Sequence, residues 1–272
     1  MHSVLGALLA VVVAAVPFTP SLPGPEPEAA RGHHIPVRGE LVIGPQGEVQ
    51  RVEVAAGPPS AVRHFVRGAV GGWRFEPVLE AGQAATVRTG FALSVLARPE
   101  GDGFELTIEG AWFGSEHPLA AGQATPRMPA RATRTGIGGL VVVAARLAAD
   151  GRVEAVHAYH SGLEAAPIST MAAQGLRQAY EHSALAAAAR WRLDTAQLPA
   201  DLPGRTVLIP VHFSHGPKDA RRLVRFDMGE PRPAPWLDAD PFAGAASPGL
   251  AEGGAYLADS RIRLRNGPQS GP

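Results

Sequence analysis

The chain has 272 residues, room for about two domains. Its 25 basic and 25 acidic residues cancel, so no strong field directs it to nucleic acid or to an anionic membrane surface. Cysteine is absent, which excludes disulfides, thiol catalysis and thiolate metal sites; the 32 glycines and 26 prolines push the composition toward linker-rich sequence.

The amino terminus carries an almost unbroken apolar run from Val4 to Val16, followed by Pro17, Pro20, Pro23, Pro25 and Pro27. The run falls short of the roughly 20 residues a membrane-spanning helix needs. It suits the apolar region of a secretory signal, although the flank before it holds no Lys or Arg. Residues 1–24 are expected to be a signal peptide, or else an uncleaved anchor, and 25–33 an extended linker in which proline denies both helix and central strand.

Leu41–Ile43 and Val49–Val54 are short β-rich runs on either side of Gly44-Pro-Gln-Gly47, and predict a hairpin. Pro58-Pro59-Ser60 is a helix start, with Ser60 as the expected cap. Val62, Phe65, Val66, Ala69, Val70 and Trp73 follow at helical spacing, with Arg63, His64 and Arg67 on the other side. That is a one-sided helix of about three turns, able to cover one face of a sheet. Gly68, Gly71 and Gly72 weaken it, so packing must supply most of its stability. Val87 to Leu96 supplies a closing strand. Phe104 to Ile108 alternates well enough for one more, with Trp112 and Phe113 beyond it.

The same order then recurs. Gly139 to Val143, the turn Asp150-Gly151 and Val153 to Val156 predict a second hairpin, with a stronger turn signal than the first. From Val52 to Trp73 is 21 residues and from Val156 to Trp191 is 35, so the second copy holds 14 more. They fall within 167–182, where Ile168, Met171, Ala172, Leu176 and Tyr180 keep a helical period, and the expectation is a longer or broken helix, re-capped at Ser183. Before Trp191, Tyr180, Ala184 and Ala187 stand where Val62, Val66 and Ala69 stand before Trp73. Val207 to Phe213 closes the copy; Pro210 cannot donate to a ladder and places this strand at an edge or a bulge. Beyond 215 the chain is rich in Pro, Gly and Ala with isolated apolar residues, and is expected to be disordered.

An internal repeat outranks any single motif as a guide to architecture. The expected class is α+β: two small units, each a roughly three-stranded antiparallel sheet covered by one helix, at 34–97 and 126–214. A connector spans 98–125, and a tail covers 215–272.

No residue is assigned a catalytic, cofactor or metal role. Trp73 and Trp191 sit on apolar helix stripes and read as core. His33-His34 and His157-x-x-His160 have no third ligand placed by spacing. Ser161-Gly162 lacks a nucleophile elbow, and no phosphate-loop or zinc-helix pattern occurs. Arg221, Arg222 and Arg225 read as a solvated segment following the second copy.

The ordered set of strand, Gly turn, strand, helix ending in Trp-Arg-Phe, and strand resembles the C-terminal domain of TonB-type energy transducers. The first copy matches at Gly39, Gly47, Val49, Val52, Val54, Trp73, Phe75, Pro77 and Phe91. The second matches at Gly139, Val141, Val143, Asp150, Gly151, Val153, Val156, Trp191 and Phe213. Pro126-Arg-Met-Pro129 stands where the family often has Pro-x-Tyr-Pro; Leu193 replaces the expected Phe. The resemblance implies a sheet whose last strand is an exposed edge that pairs with a partner peptide by β-strand addition. On that basis the partner-contacting residues are expected to be Val87, Thr89 and Phe91 in the first copy, and Val207, Ile209, Val211 and Phe213 in the second. Pro126, Met128 and Pro129 of the lead-in join them, and the second copy is the expected binder. The implied protein is a non-enzymatic, exported one in the periplasm, or one anchored to the inner membrane through its amino terminus. Its implied partner is an envelope or outer-membrane protein, with a link to energy-dependent transport and no cofactor. The alternative is a periplasmic enzyme or small-molecule binder that uses the repeats as scaffold.

Overall fold

The computed structural model describes residues 33–114, 116–118, 122–164, 168–193, 205–215, 226–237, 250, 254–258 and 262–266. The expectations for the apolar amino terminus, for the linker up to 32 and for Arg221, Arg222 and Arg225 lie outside these residues.

The described chain is a mixed α and β protein built of antiparallel strands with three helices. In order it runs β1 (His33–Ile43), β2 (Val49–Val54), α1 (Ser60–Gly71), β3 (Arg74–Phe75), β4 (Leu79–Glu80), β5 (Gln83–Ala84), β6 (Val87–Glu100), β7 (Gly103–Gly114), β8 (Glu116–Pro118), α2 (Ala130–Thr135), β9 (Gly139–Leu147), β10 (Val153–Glu164), α3 (Thr170–Ala188), β11 (Thr206–Phe213), β12 (Phe226–Met228), β13 (Gly254–Leu257) and β14 (Leu264–Asn266). One sheet has the order β2-β1-β6-β7, and a larger one the order β12-β10-β9-β11-β13-β8. Two small ladders, β14-β3 and β4-β5, complete the strands.

Strand alternation divides each sheet into two faces. Val37, Leu41 and Ile43 of β1 lie with Phe91, Leu93 and Val95 of β6 beneath Val62, Val66 and Val70 of α1. In the larger sheet Val141, Val143, Ala145 and Leu147 of β9 lie with Val207, Ile209, Val211 and Phe213 of β11 beneath Leu176, Tyr180, Ala184 and Ala188 of α3. The opposite faces meet. Ala92 and Trp112 of the smaller sheet share one apolar cluster with Val142, Ala144, Tyr159, Leu208 and Tyr256 of the larger.

The helices correct two expectations. Pro59, not Ser60, occupies the cap of α1, and no side chain caps it. α3 is one unbroken helix capped by Ser169, whose Oγ accepts from the Ala172 amide at 3.3 Å. Ser183 lies within it and donates to the Arg127 carbonyl at 2.5 Å. The longer insert extends α3 at its amino end, where Met171 is exposed.

The expected disorder of the tail is also corrected for its described residues. β12 pairs with β10, β13 runs between β11 and β8, and β14 pairs with β3. Ala234, Leu250, Ala255, Tyr256 and Ala258 are buried. Such a segment cannot fold alone, but it can bury isolated apolar residues against sheets that already exist.

Candidate functional site: the sheet edges

Each hairpin turn in the repeated sections is tied to the residue two positions after a tryptophan. The Phe75 amide donates to the Gly47 carbonyl at 2.8 Å, and the Leu193 amide to the Gly151 carbonyl at 2.9 Å. Glu48 bridges Arg74 and Arg152 bridges Arg192 in the same way. Gly47 has φ +83°, and a Cβ on it would overlap the Phe75 carbonyl oxygen. A second parallel lies across the sheets. Gly39 faces Phe91 across the ladder, and a Cβ on Gly39 would come within 2.5 Å of that ring. Gly139 faces Phe213, and a Cβ there would come within 2.6 Å of the Tyr180 ring. In both places an aromatic side chain covers a strand glycine and replaces the missing side chain.

The expected partner-contacting residues fall into three groups. Val87, Thr89 and Phe91 lie on β6, which pairs with β1 from Val87 to Ala97 and, from Gly90 onward, also with β7. An open edge along β6 therefore does not exist beyond Thr89, because the 98–125 connector supplies a fourth strand. Val87 and Phe91 point into the core under α1. On β11, the side chains of Val207, Ile209, Val211 and Phe213 are buried beneath α3. Its outer flank carries β13 at Val207 and Leu208, with the Ala258 amide donating to Thr206. By alternation Pro210 shares that outer side with Thr206, so its missing N–H is not one that β9 needs.

The lead-in segment is engaged within the chain. The indole N–H of Trp191 donates to the Ala124 carbonyl at 2.7 Å. Gln123 donates to the Arg192 carbonyl at 2.6 Å and accepts from its amide at 2.9 Å. Met128 packs against the α3 core, and Pro129 caps α2. The structure thus brings Met128 to the same core as the four β11 residues, and leaves Val87, Thr89 and Phe91 in the other sheet.

Of the residues weighed for chemistry, Ser161 and His160 make hydrogen bonds within the chain. Ser161 donates to the Glu181 carboxylate at 2.5 Å, and Arg232 pairs with the same oxygen at 2.5 Å. The His160 ring nitrogen lies 2.6 Å from the Gly229 carbonyl, and the Arg232 amide donates to Tyr159 at 2.7 Å. These bonds pin the 226–237 segment to β10 and α3. Glu40, Leu41, Val42, Arg51, Glu53 and Arg88 line one shallow cleft. Its charges are used within ion pairs, Glu40 with Arg88 and Arg51 with Glu53 at 2.5 Å, on side chains exposed enough for the pairs to contribute little.

Among the described residues open flanks remain, and β7 carries the longest. Among the described residues β6 is its only hydrogen-bonded neighbour. Its second half is buried: Trp112 donates to the Leu257 carbonyl at 3.0 Å and stands edge-on to Tyr256, while Phe113 meets Trp73 and Phe75. The first half, from Gly103 to Thr107, is largely exposed, and Phe104 is 63% exposed. An exposed strand flank presents a row of unpaired N–H and C=O groups, a template for another strand. β2 forms the other edge of that sheet, but it is half as long and carries the Arg51–Glu53 pair. Sequence reasoning placed an extra strand at 104–108 without seeing that it would cover β6. Trp112 and Phe113, which fall on opposite faces of the strand beyond an irregularity in the ladder after Ile108, were the available signal.

Fold and edges together define, among the described residues, a mixed α and β protein of antiparallel sheets in which β7 is a long edge strand. No family model matches the chain, and neither a curated protein nor a solved structure matches it. Among the described residues no helix is long and apolar enough to cross a membrane.

Proposed function

We propose that the chain is an exported protein-binding protein built on two tandem, divergent TonB C-terminal-domain-like units, and that it captures a partner segment by sheet-edge pairing. The recurrence of the Gly–Trp-x-x tie and of the aromatic-covered strand glycine supports two related units. The observation that carries the binding reading is the open, exposed flank of β7 from Gly103 to Thr107. A partner strand there gains affinity from backbone pairing and selectivity from alternate side chains. The partner is an envelope or outer-membrane protein, met in the periplasm, and no chemistry is performed.

The test is capture of extended peptides followed by hydrogen exchange of the complex. Slowed exchange within 103–109 is expected. Proline at Leu106 or at Thr107 supplies the second arm, because neighbouring amides point to opposite flanks. The variant that keeps the native melting temperature should lose capture. Retained capture in that variant, or protection confined to other strands, overturns the reading.

A further inference from the structure

The β7 edge also has a chemistry of its own. Phe104, Leu106 and Ile108 alternate with Glu105 and Thr107, and Leu106 and Ile108 face the apolar core under α1. Phe104 shares that face by alternation. The other face is acidic: Glu105 is exposed, as are Glu100 and Asp102 at the adjoining turn, and among the described residues none of the three is in an ion pair. Further along, Glu109 lies 3.6 Å from His34. Arg98 stands opposite Glu105 across the β6–β7 ladder without bonding to it. No lysine occurs on β7 to guard the edge, although lysine is the usual protection for an exposed strand.

This arrangement disfavours one register of self-pairing with a second copy of the chain. Antiparallel self-pairing centred on Thr107 would set Glu105 opposite Glu109 of the other copy, and like charges directly opposite are destabilising. The same carboxylates favour a strand of opposite sign.

We infer that the β7 edge takes an extended segment in which basic residues alternate with apolar ones. The basic residues would lie beside Glu105, with Glu100 and Asp102 at the turn, and the apolar residues beside Phe104 and Leu106. The inference rests on β7 being the binding edge, and adds the class of partner: a basic, amphipathic strand.

The experiment uses the full chain and three seven-residue peptides: alternating Lys and Val, alternating Glu and Val, and alternating Thr and Val. Binding is read by fluorescence anisotropy at low and at physiological salt, and its location by hydrogen exchange. The Lys peptide should bind on the order of tenfold more tightly than the Glu peptide, the effect of two or three cross-strand charge pairs. Salt should narrow the gap. Glu105→Lys combined with Glu100→Lys should reverse the order while leaving the Thr peptide unchanged. Equal binding of all three at β7 would overturn the charge preference and leave the edge reading standing. Failure of all three to protect 103–109 would overturn the edge reading itself.

Discussion

The amide of Leu193 donates to the carbonyl of Gly151 at 2.9 Å, and 118 residues earlier in the chain the amide of Phe75 does the same to Gly47 at 2.8 Å. This contact explains why a turn glycine and a Trp-Arg dipeptide, far apart in each copy, recur together. The residue two positions after each tryptophan returns to the hairpin turn that precedes the helix, which closes the helix over the sheet. The turn glycine leaves room for that return.

Gly47→Ala should therefore be costly. Its left-handed backbone alone costs a non-glycine residue about 1–3 kcal/mol, and the overlap with the Phe75 carbonyl adds to that. Gly68→Ala is the control: it lies within α1 with nothing near its Cβ position, and should stabilise by about 0.5–1 kcal/mol. Urea melts of both variants check the pair of signs.

Trp112 joins the two sheets through its edge-on contact with Tyr256 and its hydrogen bond to Leu257. Trp112→Ala should cost about 3–5 kcal/mol, as for other large buried aromatics. Trp112→Phe keeps most of the packing but leaves the Leu257 carbonyl without this donor. Its melt should fall between the two, and exchange at 254–258 should quicken.

The Tyr180 hydroxyl donates to the Ile137 carbonyl within the α3 core. Burial, reinforced by the Glu164 carboxylate, pushes its pKa up to about 12. A raised folded-state pKa gives stability that is fully present below pH 10 and lost as pH rises from about 10 toward 12. Absorbance titration of the native protein should show a late-ionising component that Tyr180→Phe removes. That variant should also cost about 1–3 kcal/mol through the unsatisfied carbonyl.

His117 of β8 is buried opposite Ala255. Burial holds its pKa below the usual 6.5, because charging a ring out of water is unfavourable. The unfolded chain then binds the proton first, so stability contributed by the neutral ring is present above pH 6.5 and lost as pH falls toward the lowered folded value. Denaturation at pH 7.5 and 5.5 should show a larger drop in the wild type than in His117→Gln. Equal drops would show that His117 does not contribute.

The amino-acid order alone carried much of the local architecture. The spacing of Val62, Val66 and Val70 before Trp73, and of Tyr180, Ala184 and Ala187 before Trp191, placed the buried stripes of both helices, because a helix repeats its faces regardless of what it packs on. Hairpin positions were legible for the same reason, since a turn that needs positive φ selects glycine locally. What the sequence could not decide was neighbourhood. Val207 reads the same whether or not a strand lies beside it, and the four residues Gly254–Leu257, too short to signal a strand, become one only between β11 and β8. Edge and interior strands differ in which backbone groups are already paired, and pairing between distant segments is settled by tertiary packing. That is why β6, expected to be the open edge, is flanked on both sides from Gly90, and the exposed flank passes to β7.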